Sequence, residues 1–289
     1  MSAGAVDITD EQLRKCKGSQ LTTHRVGELL RGISFPLSAG RSASAAHGQR
    51  QPLRLTLGLT PVWGRSEPAM NRLTRKRRRL AKLLFRLLRR LAPKARCTSV
   101  VVALNSEAAL HTDDNNLGLT HTTTTGSFSG GSLWIHSGAY ALTRSTKDAL
   151  LSFDASRPHC VLAFHGTWRV TFTWYVHSSF VRCSPALRAK LLNLEARLPS
   201  DTEVAKLLAE RARQQRGSKT SRLTAASQAW RHQHLKAQRG GRTRVQKNSK
   251  RGRARASNFV CKGCGRTGIT RSGRGRAWCS QQCRRRYRT

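Results

Sequence analysis

Two histidines and an aspartate in this sequence have the residue types and spacing of metal ligands. His111 and Asp113 form a His-x-Asp pair, and His159 follows further along the chain. Alternate residues of an extended chain point to the same side, so His111 and Asp113 can face one ion. Two imidazoles and one carboxylate on one face of a metal leave positions open, which is typical of non-haem Fe(II) that also binds a co-substrate and O₂. His165 is an alternative to His159, although it falls in a predicted turn.

Arg169 and Thr171 could bind a carboxylate near these ligands. The segments CVLAF and RVTFTWYV are predicted as two paired strands of a hairpin that turns around Gly166. That hairpin would bring His159 close to Arg169, whose guanidinium can bind a carboxylate through two parallel hydrogen bonds. Thr171, two residues on, would face the same side and add a hydroxyl group. Asn105 could either bind the same co-substrate or simply end a strand.

Four cysteines near the C-terminus are spaced as ligands of a second metal. Cys261-x-x-Cys264 is followed, after fourteen residues, by Cys279-x-x-x-Cys283. Two close thiolate pairs on a segment too short to bury its own core indicate a closed, structural zinc site that resembles a treble-clef finger. Disulfide pairing is the alternative. The segment carries basic residues and no acidic one, so contact with phosphate groups is its predicted role, and protein binding is the other possibility.

The charge of the chain is unevenly distributed. The 289 residues have a formal net charge of +40, but residues 97–210 contain nine basic and nine acidic side chains. The residues after Glu210 contain 24 basic and no acidic side chains, and those before Cys97 contain 21 basic and five acidic ones. A neutral module with two cationic flanks predicts a polyanionic partner, with DNA favoured over RNA and with salt-dependent binding. We expect a nuclear protein without a membrane span, because the sequence has no secretory signal and no long apolar run.

The elements that must position these residues are mainly short strands. TSVVVAL, SLWIH, ALLSF and the two segments around Gly166 are separated by Gly, Asn, Asp and Pro, which predicts an antiparallel sandwich or barrel. Residues 72–92 predict one basic helix that ends before Pro93, and residues 184–198 predict a closing helix. The leucines of the basic helix recur at helical spacing on one face, at Leu80, Leu84, Leu87 and Leu91.

The runs TSVVVALNSEAALHTDDNNLGLT, GSFSGGSLWI and FDASRPHCVLAFHGTWRVTFTWYV resemble the 2-oxoglutarate/Fe(II) oxygenases of the TET/JBP type, in particular their protist, mobile-element-associated branch. The resemblance covers about 98–200 and implies a double-stranded β-helix (jelly-roll) core. It implies that His111, Asp113 and His159 bind iron, that Arg169 binds 2-oxoglutarate, and that GSFSGGSLW forms a hairpin beside the substrate pocket. It also implies oxidation of a methyl-bearing base, 5-methylcytosine or thymine, in nucleic acid. The threonine-rich run 120–125 departs from the more apolar strand usual in the family, and His165 replaces an expected acidic residue.

Two other functions fit the same sequence. One is a non-enzymatic nucleic-acid-binding protein on a decayed oxygenase scaffold, and the other is an oxygenase that acts on protein side chains. The oligomeric state and the base that is oxidised cannot be read from the sequence. The predicted organisation is a flexible region at 1–50, an oxygenase domain at 51–200 with its β core at 98–183 and its basic helix at 72–92, a basic disordered linker at 201–257, and a four-cysteine zinc finger at 258–289.

Overall fold

The fold was analysed in a computed structural model. The chain has two compact units, Met1–Gln233 and His234–Thr289. The second is described only through the backbone of one antiparallel strand pair, Ser257–Val260 with Thr267–Thr270. The predicted zinc ligands Cys261, Cys264, Cys279 and Cys283 lie outside the described residues. The structure describes residues 7–33, 35, 53–62, 64–137, 140–214 and 223–230, together with that strand pair.

Ten strands of the first unit form two antiparallel sheets. The larger sheet has the order β2-β1-β3-β10-β5-β8, and the smaller has the order β4-β9-β6-β7. Strands β3 to β10 thus pass back and forth between the two sheets and contribute four strands to each, which is the strand order of a jelly roll. The predicted strand-rich antiparallel core with flanking helices is confirmed. The strands are β1 Leu53–Thr60, β2 Ala69–Met70, β3 Ser99–Leu104, β4 Ala108–His111, β5 Asn116–Gly130, β6 Leu133–His136, β7 Ala141–Arg144, β8 Leu151–Asp154, β9 His159–Val161 and β10 Phe164–His177.

The predicted hairpin around Gly166 is wrong. Strands β9 and β10 lie in different sheets, and the chain crosses from one sheet to the other at residues 162–163. Gly166 instead lies inside β10 opposite Phe128, beside a bulge. Its φ is +143°, and a Cβ atom there would lie 2.3 Å from the carbonyl oxygen of Ser127, so the glycine permits close pairing with β5 rather than a turn. The GSFSGGSLW stretch is likewise no hairpin, since it joins β5 in one sheet to β6 in the other.

The threonine-rich run 120–125 occupies the middle of β5 and is buried. The hydroxyl of Thr122 donates to the carbonyl of Phe172 at 3.1 Å. The hydroxyls of Thr123 and Thr124 bond to the carbonyl and the hydroxyl of Thr146, at 3.3 and 3.1 Å. Because these three hydroxyl groups have partners, this part of the polar run can replace an apolar strand without a large desolvation cost. The buried hydroxyl of Thr125 has no hydrogen-bond partner among the described residues.

Seven helices surround the sheets in the described part of the chain. They are α1 Asp10–Arg14, α2 Thr23–Leu30, α3 Arg72–Lys76, α4 Arg78–Leu91, α5 Pro185–Leu192, α6 Asp201–Gln214 and α7 at 223–230. None of the described helices is both long and apolar enough to cross a membrane.

The predicted basic helix 72–92 is two helices, α3 and α4. The break is at Arg77, whose backbone has φ −126° and ψ 51° and whose side chain is buried. Helix α4 packs its leucine face on the larger sheet, where the indole of Trp174 donates to the carbonyl of Leu84 at 3.0 Å. The leucine stripe is therefore core, with Leu80, Leu84 and Leu87 buried and Leu91 partly buried. The closing helix is shorter than predicted and ends at Leu192.

The N-terminal region 1–50 was predicted to be flexible, but part of it is folded. Ile8, Val26 and Leu30 are buried in the main hydrophobic cluster, so residues 7–33 belong to the folded unit. The carboxylate of Asp7 accepts the backbone N–H groups of Arg79 and Leu80 at 2.8 and 3.1 Å, which caps the start of α4. The sequence around Asp7 shows only a short amphipathic pattern next to small residues. It therefore did not predict the long-range contact between Asp7 and the start of α4.

The predicted linker 201–257 also contains ordered structure. Helix α6 begins with reciprocal hydrogen bonds between Ser200 and Glu203, and its Val204 is buried. Helix α7 contributes Ala226 and Trp230 to a cluster with Trp134 and Cys160 on the smaller sheet. The high positive charge of this segment favoured a prediction of disorder, although a few of its apolar residues pack on the smaller sheet. The rest of the predicted linker lies outside the described residues.

Candidate metal centre

His111, Asp113 and His159 form the one group of potential metal ligands found among the described residues. Their ligand atoms all lie within 4.8 Å of one another. His111 ends β4 and pairs directly with His159 at the start of β9, and their ring centroids are 4.3 Å apart. Asp113 follows in the loop after β4, with its Oδ1 atom 3.7 Å from Nε2 of His111. The structure therefore brings together the three predicted ligands, whereas His165 is exposed elsewhere on β10.

Both histidines present the same nitrogen to the site. Nδ1 of His111 lies 2.7 Å from the carbonyl of Ala109, and Nδ1 of His159 lies 2.8 Å from the carbonyl of Arg157. A carbonyl can only accept, so each Nδ1 carries the proton and each Nε2 keeps its lone pair for a metal. Burial, reinforced by the neighbouring His111, lowers the pKa of His159 to about 4 and keeps its ring neutral.

Asn116 holds the carboxylate of Asp113. Its Nδ2 donates to Oδ2 of Asp113 at 3.2 Å and to the hydroxyl of Thr120 at 3.1 Å. The backbone N–H of Asp113 donates to the carbonyl of Ala155 at 2.8 Å. Asn116 is not among the site residues predicted from the sequence. Its position three residues after Asp113, a common spacing for turn contacts, was the available signal.

Arg169 is a buried cation on the sheet opposite the histidines. Only 1 % of its side chain is exposed. Its NH1 donates to the carbonyl of Ser106 and to the hydroxyl of Thr171, and its NH2 donates to the carbonyl of Gly131, at 3.0, 2.9 and 3.3 Å. All three acceptors are uncharged, and Nε has no hydrogen-bond partner among the described residues. Burial lowers the pKa of Arg169 to about 10.

Such a cation is costly to bury unless an anion completes its environment. The ring centroids of Phe128 and Phe164 lie 5.4 and 5.1 Å from Cζ of Arg169, so the two rings cover the guanidinium. Asn105 supports Arg169 from behind: its Oδ1 accepts the backbone N–H of Arg169 at 2.7 Å, and its Nδ2 donates to the carbonyl of Thr167 at 3.3 Å. Asn105 thus follows the last residue of β3 and positions Arg169, a role that the sequence did not predict.

A cavity of about 330 Å³ between the two sheets joins the metal-ligand cluster to Arg169. The smaller sheet supplies the histidines, and the larger sheet supplies Arg169 and Thr171. The predicted proximity of His159 and Arg169 therefore arises across facing sheets and not across paired strands. The cavity is large enough for a small dicarboxylate together with part of a second ligand.

Sequence analysis missed two further residues that line this cavity. Arg54 lies on β1 beside Ala103 of β3, and the small alanine leaves room for the long side chain to reach the cavity. Tyr175 lies on β10, where burial, followed by the negative charge of Asp113, raises its pKa to about 12. Both residues lie in strands whose alternation of polar and apolar residues is clear in the sequence. Only the order of the strands in the sheets shows which face of each strand lines the cavity.

Comparison with known proteins gave matches only at the level of structure. No protein-family model matches the chain, and no curated protein matches it. A 2OG-Fe(II) oxygenase family oxidoreductase from Burkholderia pseudomallei is 14 % identical, with a TM-score of 0.33 over 42 % of this chain and 67 % of that chain.

Two further solved structures show a similar degree of likeness. NgTET1 in complex with 5mC DNA is 10 % identical, with a TM-score of 0.37 over 64 % of this chain and 77 % of that one. A prolyl hydroxylase from Trichoplax adhaerens, in complex with a hypoxia inducible factor peptide fragment, is 16 % identical, with a TM-score of 0.33 over 57 % and 77 %. At these scores the function must be argued from the site itself.

The donor set fits a divalent iron site. Two imidazole nitrogens and one carboxylate oxygen converge from one side, and the cavity lies on the other side. This arrangement leaves coordination positions that a co-substrate and O₂ can take.

Proposed function

We propose that the protein is an Fe(II)- and 2-oxoglutarate-dependent oxygenase that oxidises a methyl-bearing base, 5-methylcytosine or thymine, in nucleic acid. The observation that carries this proposal is the cavity that holds both the His111–Asp113–His159 cluster and the buried Arg169. In such enzymes, iron with 2-oxoglutarate and O₂ supplies hydroxylation of a C–H bond, and 2-oxoglutarate leaves as succinate and CO₂.

The residues of this chain have distinct tasks in the proposed reaction. His111 and His159 offer Nε2 atoms whose orientation is fixed by their Nδ1 hydrogen bonds, and Asp113 offers the carboxylate oxygen that Asn116 leaves unbound. Arg169 and Thr171 bind the distal carboxylate of 2-oxoglutarate. Since that carboxylate supplies the missing anion, it removes part of the cost of burying the guanidinium.

Nucleic acid as the substrate is supported by charge. The near-neutral segment 97–210 contains the proposed catalytic residues, and basic residues dominate on both sides of it. Phosphate-driven binding of this kind brings the enzyme to DNA, and the target base must then leave the stack to reach the iron. A structural zinc site at Cys261, Cys264, Cys279 and Cys283 and a nuclear location complete the proposal.

The first experiment is an anaerobic titration of the purified protein with Fe(II) and 2-oxoglutarate, which follows the visible charge-transfer absorption of the iron chelate. We expect the band in the wild type and a much weaker band in Arg169→Ala at equal 2-oxoglutarate. Arg14→Ala removes an exposed arginine of α1 and serves as the control with an unchanged band. A well-folded wild type without the band would contradict the oxygenase assignment and favour a decayed scaffold.

Turnover then identifies the substrate. Methylated DNA, methylated RNA and basic proteins are incubated with the iron-loaded enzyme, and the products are analysed by mass spectrometry. We expect oxidised 5-methylcytosine or thymine. Hydroxylated protein side chains with unmodified bases would replace this substrate with the protein alternative.

A further inference from the structure

A second concave surface lies on the helix-covered side of the larger sheet. This groove, of about 710 Å³, is formed by β2, α3, the start of α4 and α5. Its floor is apolar and includes Pro68, Met70, Leu187 and Leu194. Its rim carries four basic side chains, Arg65, Arg75, Arg78 and Lys190, and we refer to it as the basic groove.

The cations of the basic groove have no acidic partners at ion-pair distance. The ion pairs found among the described residues include none of its four basic side chains. Glu67 is the one acidic residue among those lining the groove. Its carboxylate accepts the backbone N–H of Ser184 at 3.2 Å. Hydrogen bonding with the side chain and the backbone of Ser184, followed by the positive charge of Lys190, lowers the pKa of Glu67. All four arginine and lysine side chains are exposed, so they can reach a ligand.

The basic face of α4 differs from the groove in this respect. There, Lys82, Arg86 and Arg89 lie 3.3, 2.6 and 3.6 Å from the carboxylate of Glu195. One acidic residue thus offsets part of the charge of that face. Basic composition alone therefore does not distinguish a binding surface, whereas a concave set of cations that form no close ion pair among the described residues does.

We propose that the basic groove binds the phosphodiester backbone of the nucleic acid whose base is oxidised in the catalytic cavity, an inference that rests on the proposed function. Arginine and lysine side chains on the rim fit phosphate oxygens. The apolar floor fits the sugar or a base edge, and it distinguishes the groove from a uniformly charged surface.

The cavity and the basic groove lie on opposite faces of the larger sheet, so one nucleic acid that contacts both must pass around the sheet edge at β2. Arg54, near one end of β1, lines the catalytic cavity, and Thr60, at the other end, pairs with Ala69 of the groove. Six residues of strand span about 20 Å. Because one base step of B-DNA rises about 3.4 Å, a segment of roughly six base pairs covers this distance.

The test compares two triple variants of the full chain that lose the same charge. The groove variant is Arg65→Ala, Arg75→Ala and Lys190→Ala. The control variant is Arg14→Ala, Arg144→Ala and Arg213→Ala, which removes exposed arginines that also lack ion pairs at the distances above. Fluorescence anisotropy with a labelled methylated duplex gives the dissociation constant over a series of salt concentrations.

We expect the groove variant to lower the slope of log affinity against log salt by about two to three, since each lost phosphate contact lowers it by about one. The control variant should change the slope by less than half as much. Equal losses in both variants, or an unchanged slope in the groove variant, would overturn the groove as the phosphate-binding surface.

The anaerobic chelate band, measured on both variants, separates this proposal from the proposed function. A groove variant that keeps the band but also keeps full DNA affinity contradicts only the groove. A competition experiment with polyglutamate tests the other class of ligand. If polyglutamate displaces the labelled duplex as well as unlabelled DNA does, the groove binds acidic protein segments and the nucleic-acid proposal is wrong. Should the triple variant fold poorly, Arg75→Gln and Lys190→Gln are measured singly, each with an expected slope change of about one.

Discussion

The side-chain amide of Asn116 donates a hydrogen bond to Oδ2 of Asp113 at 3.2 Å, and this leaves Oδ1 directed towards Nε2 of His111 at 3.7 Å. One carboxylate oxygen is therefore held by the protein while the other faces the metal cluster. Asn116 is in turn fixed by the hydroxyl of Thr120 at 3.1 Å. The ligand geometry thus depends on a side chain that does not itself bind the metal.

Replacing Asn116 with Ala should weaken Fe(II) binding by about 10- to 100-fold, which is the usual effect of removing a group that orients a metal ligand. The dissociation constant is measured anaerobically by competition with a chelator. Asn193→Ala is the control, because Asn193 is an exposed asparagine that does not line the cavity. Equal iron affinity in the wild type and Asn116→Ala would contradict this positioning role.

Replacing His159 with Ala should abolish iron binding and turnover but leave DNA affinity unchanged, because the cationic surfaces lie elsewhere. His165→Ala removes an exposed histidine of the same segment and should keep both properties. Iron content, product formation and anisotropy are measured on the same preparations. Turnover in His159→Ala at the wild-type rate would refute the ligand assignment.

Replacing Gly131 with Ala should weaken 2-oxoglutarate binding more than iron binding. Gly131 has φ +68°, and a Cβ atom there would lie 3.0 Å from Nε of Arg169. Gly64→Ala is a matched control, since its φ of +73° imposes similar backbone strain but a Cβ atom meets nothing within 4 Å. Calorimetric titration of 2-oxoglutarate into the two iron-loaded variants measures their affinities for 2-oxoglutarate. An equal loss of affinity in both variants would assign the effect to backbone strain alone.

The metal-free protein should lose stability as the pH falls below about 6.5. Burial lowers the pKa of His121 and His136 from the ordinary value of 6.5, so the unfolded chain binds more protons than the folded one below that pH. Above pH 6.5 both states are neutral at these residues, and the contribution is constant. His121→Gln should reduce the slope of unfolding free energy against pH below pH 6.5. Denaturant unfolding at several pH values measures it, and an unchanged slope would exclude His121 as a contributor.

Replacing Trp230 with Ala should destabilise the first unit, because its indole packs with Trp134 and bonds to Cys160 on the smaller sheet. Since Trp230 is partly exposed, the loss should be less than the about 3–5 kcal/mol typical of a fully buried tryptophan. Gln228→Ala, on the exposed side of α7, should have little effect. Thermal unfolding compares the two, and equal midpoints would show that α7 does not stabilise the sheet.

The local patterns of the sequence predicted the strands and the metal ligands, but not how the strands pair. The His-x-Asp spacing and the alternation in RVTFTWYV depend on neighbouring residues, so they can be read directly. The relation between His159 and Arg169 depends on which sheet each strand joins. The run CVLAF gave no sign that the chain leaves one sheet at residues 162–163 and enters the other, and a tight hairpin was the simpler interpretation.

The errors at both ends of the first unit have a similar cause. Asp7 caps a helix more than seventy positions away, and Ala226 packs on a strand that precedes it by more than sixty. Neither contact can be predicted from the neighbouring sequence, because each is made by a single residue whose partner lies far away in the chain. Composition correctly indicated that these segments cannot form a core alone, but it could not show that they complete a core built by other residues.

The jelly roll places the metal ligands on one sheet and the buried guanidinium on the other, with the cavity between them. A dicarboxylate bound at both ends would act as a strut that connects two layers otherwise joined by loops and side-chain packing. Its binding should therefore slow amide hydrogen exchange in β4 and β9 and in β10 together, although the two groups of strands share no hydrogen bonds. The co-substrate would then be a structural component of the fold during each catalytic cycle, and its consumption would loosen the enzyme at the moment when product must leave.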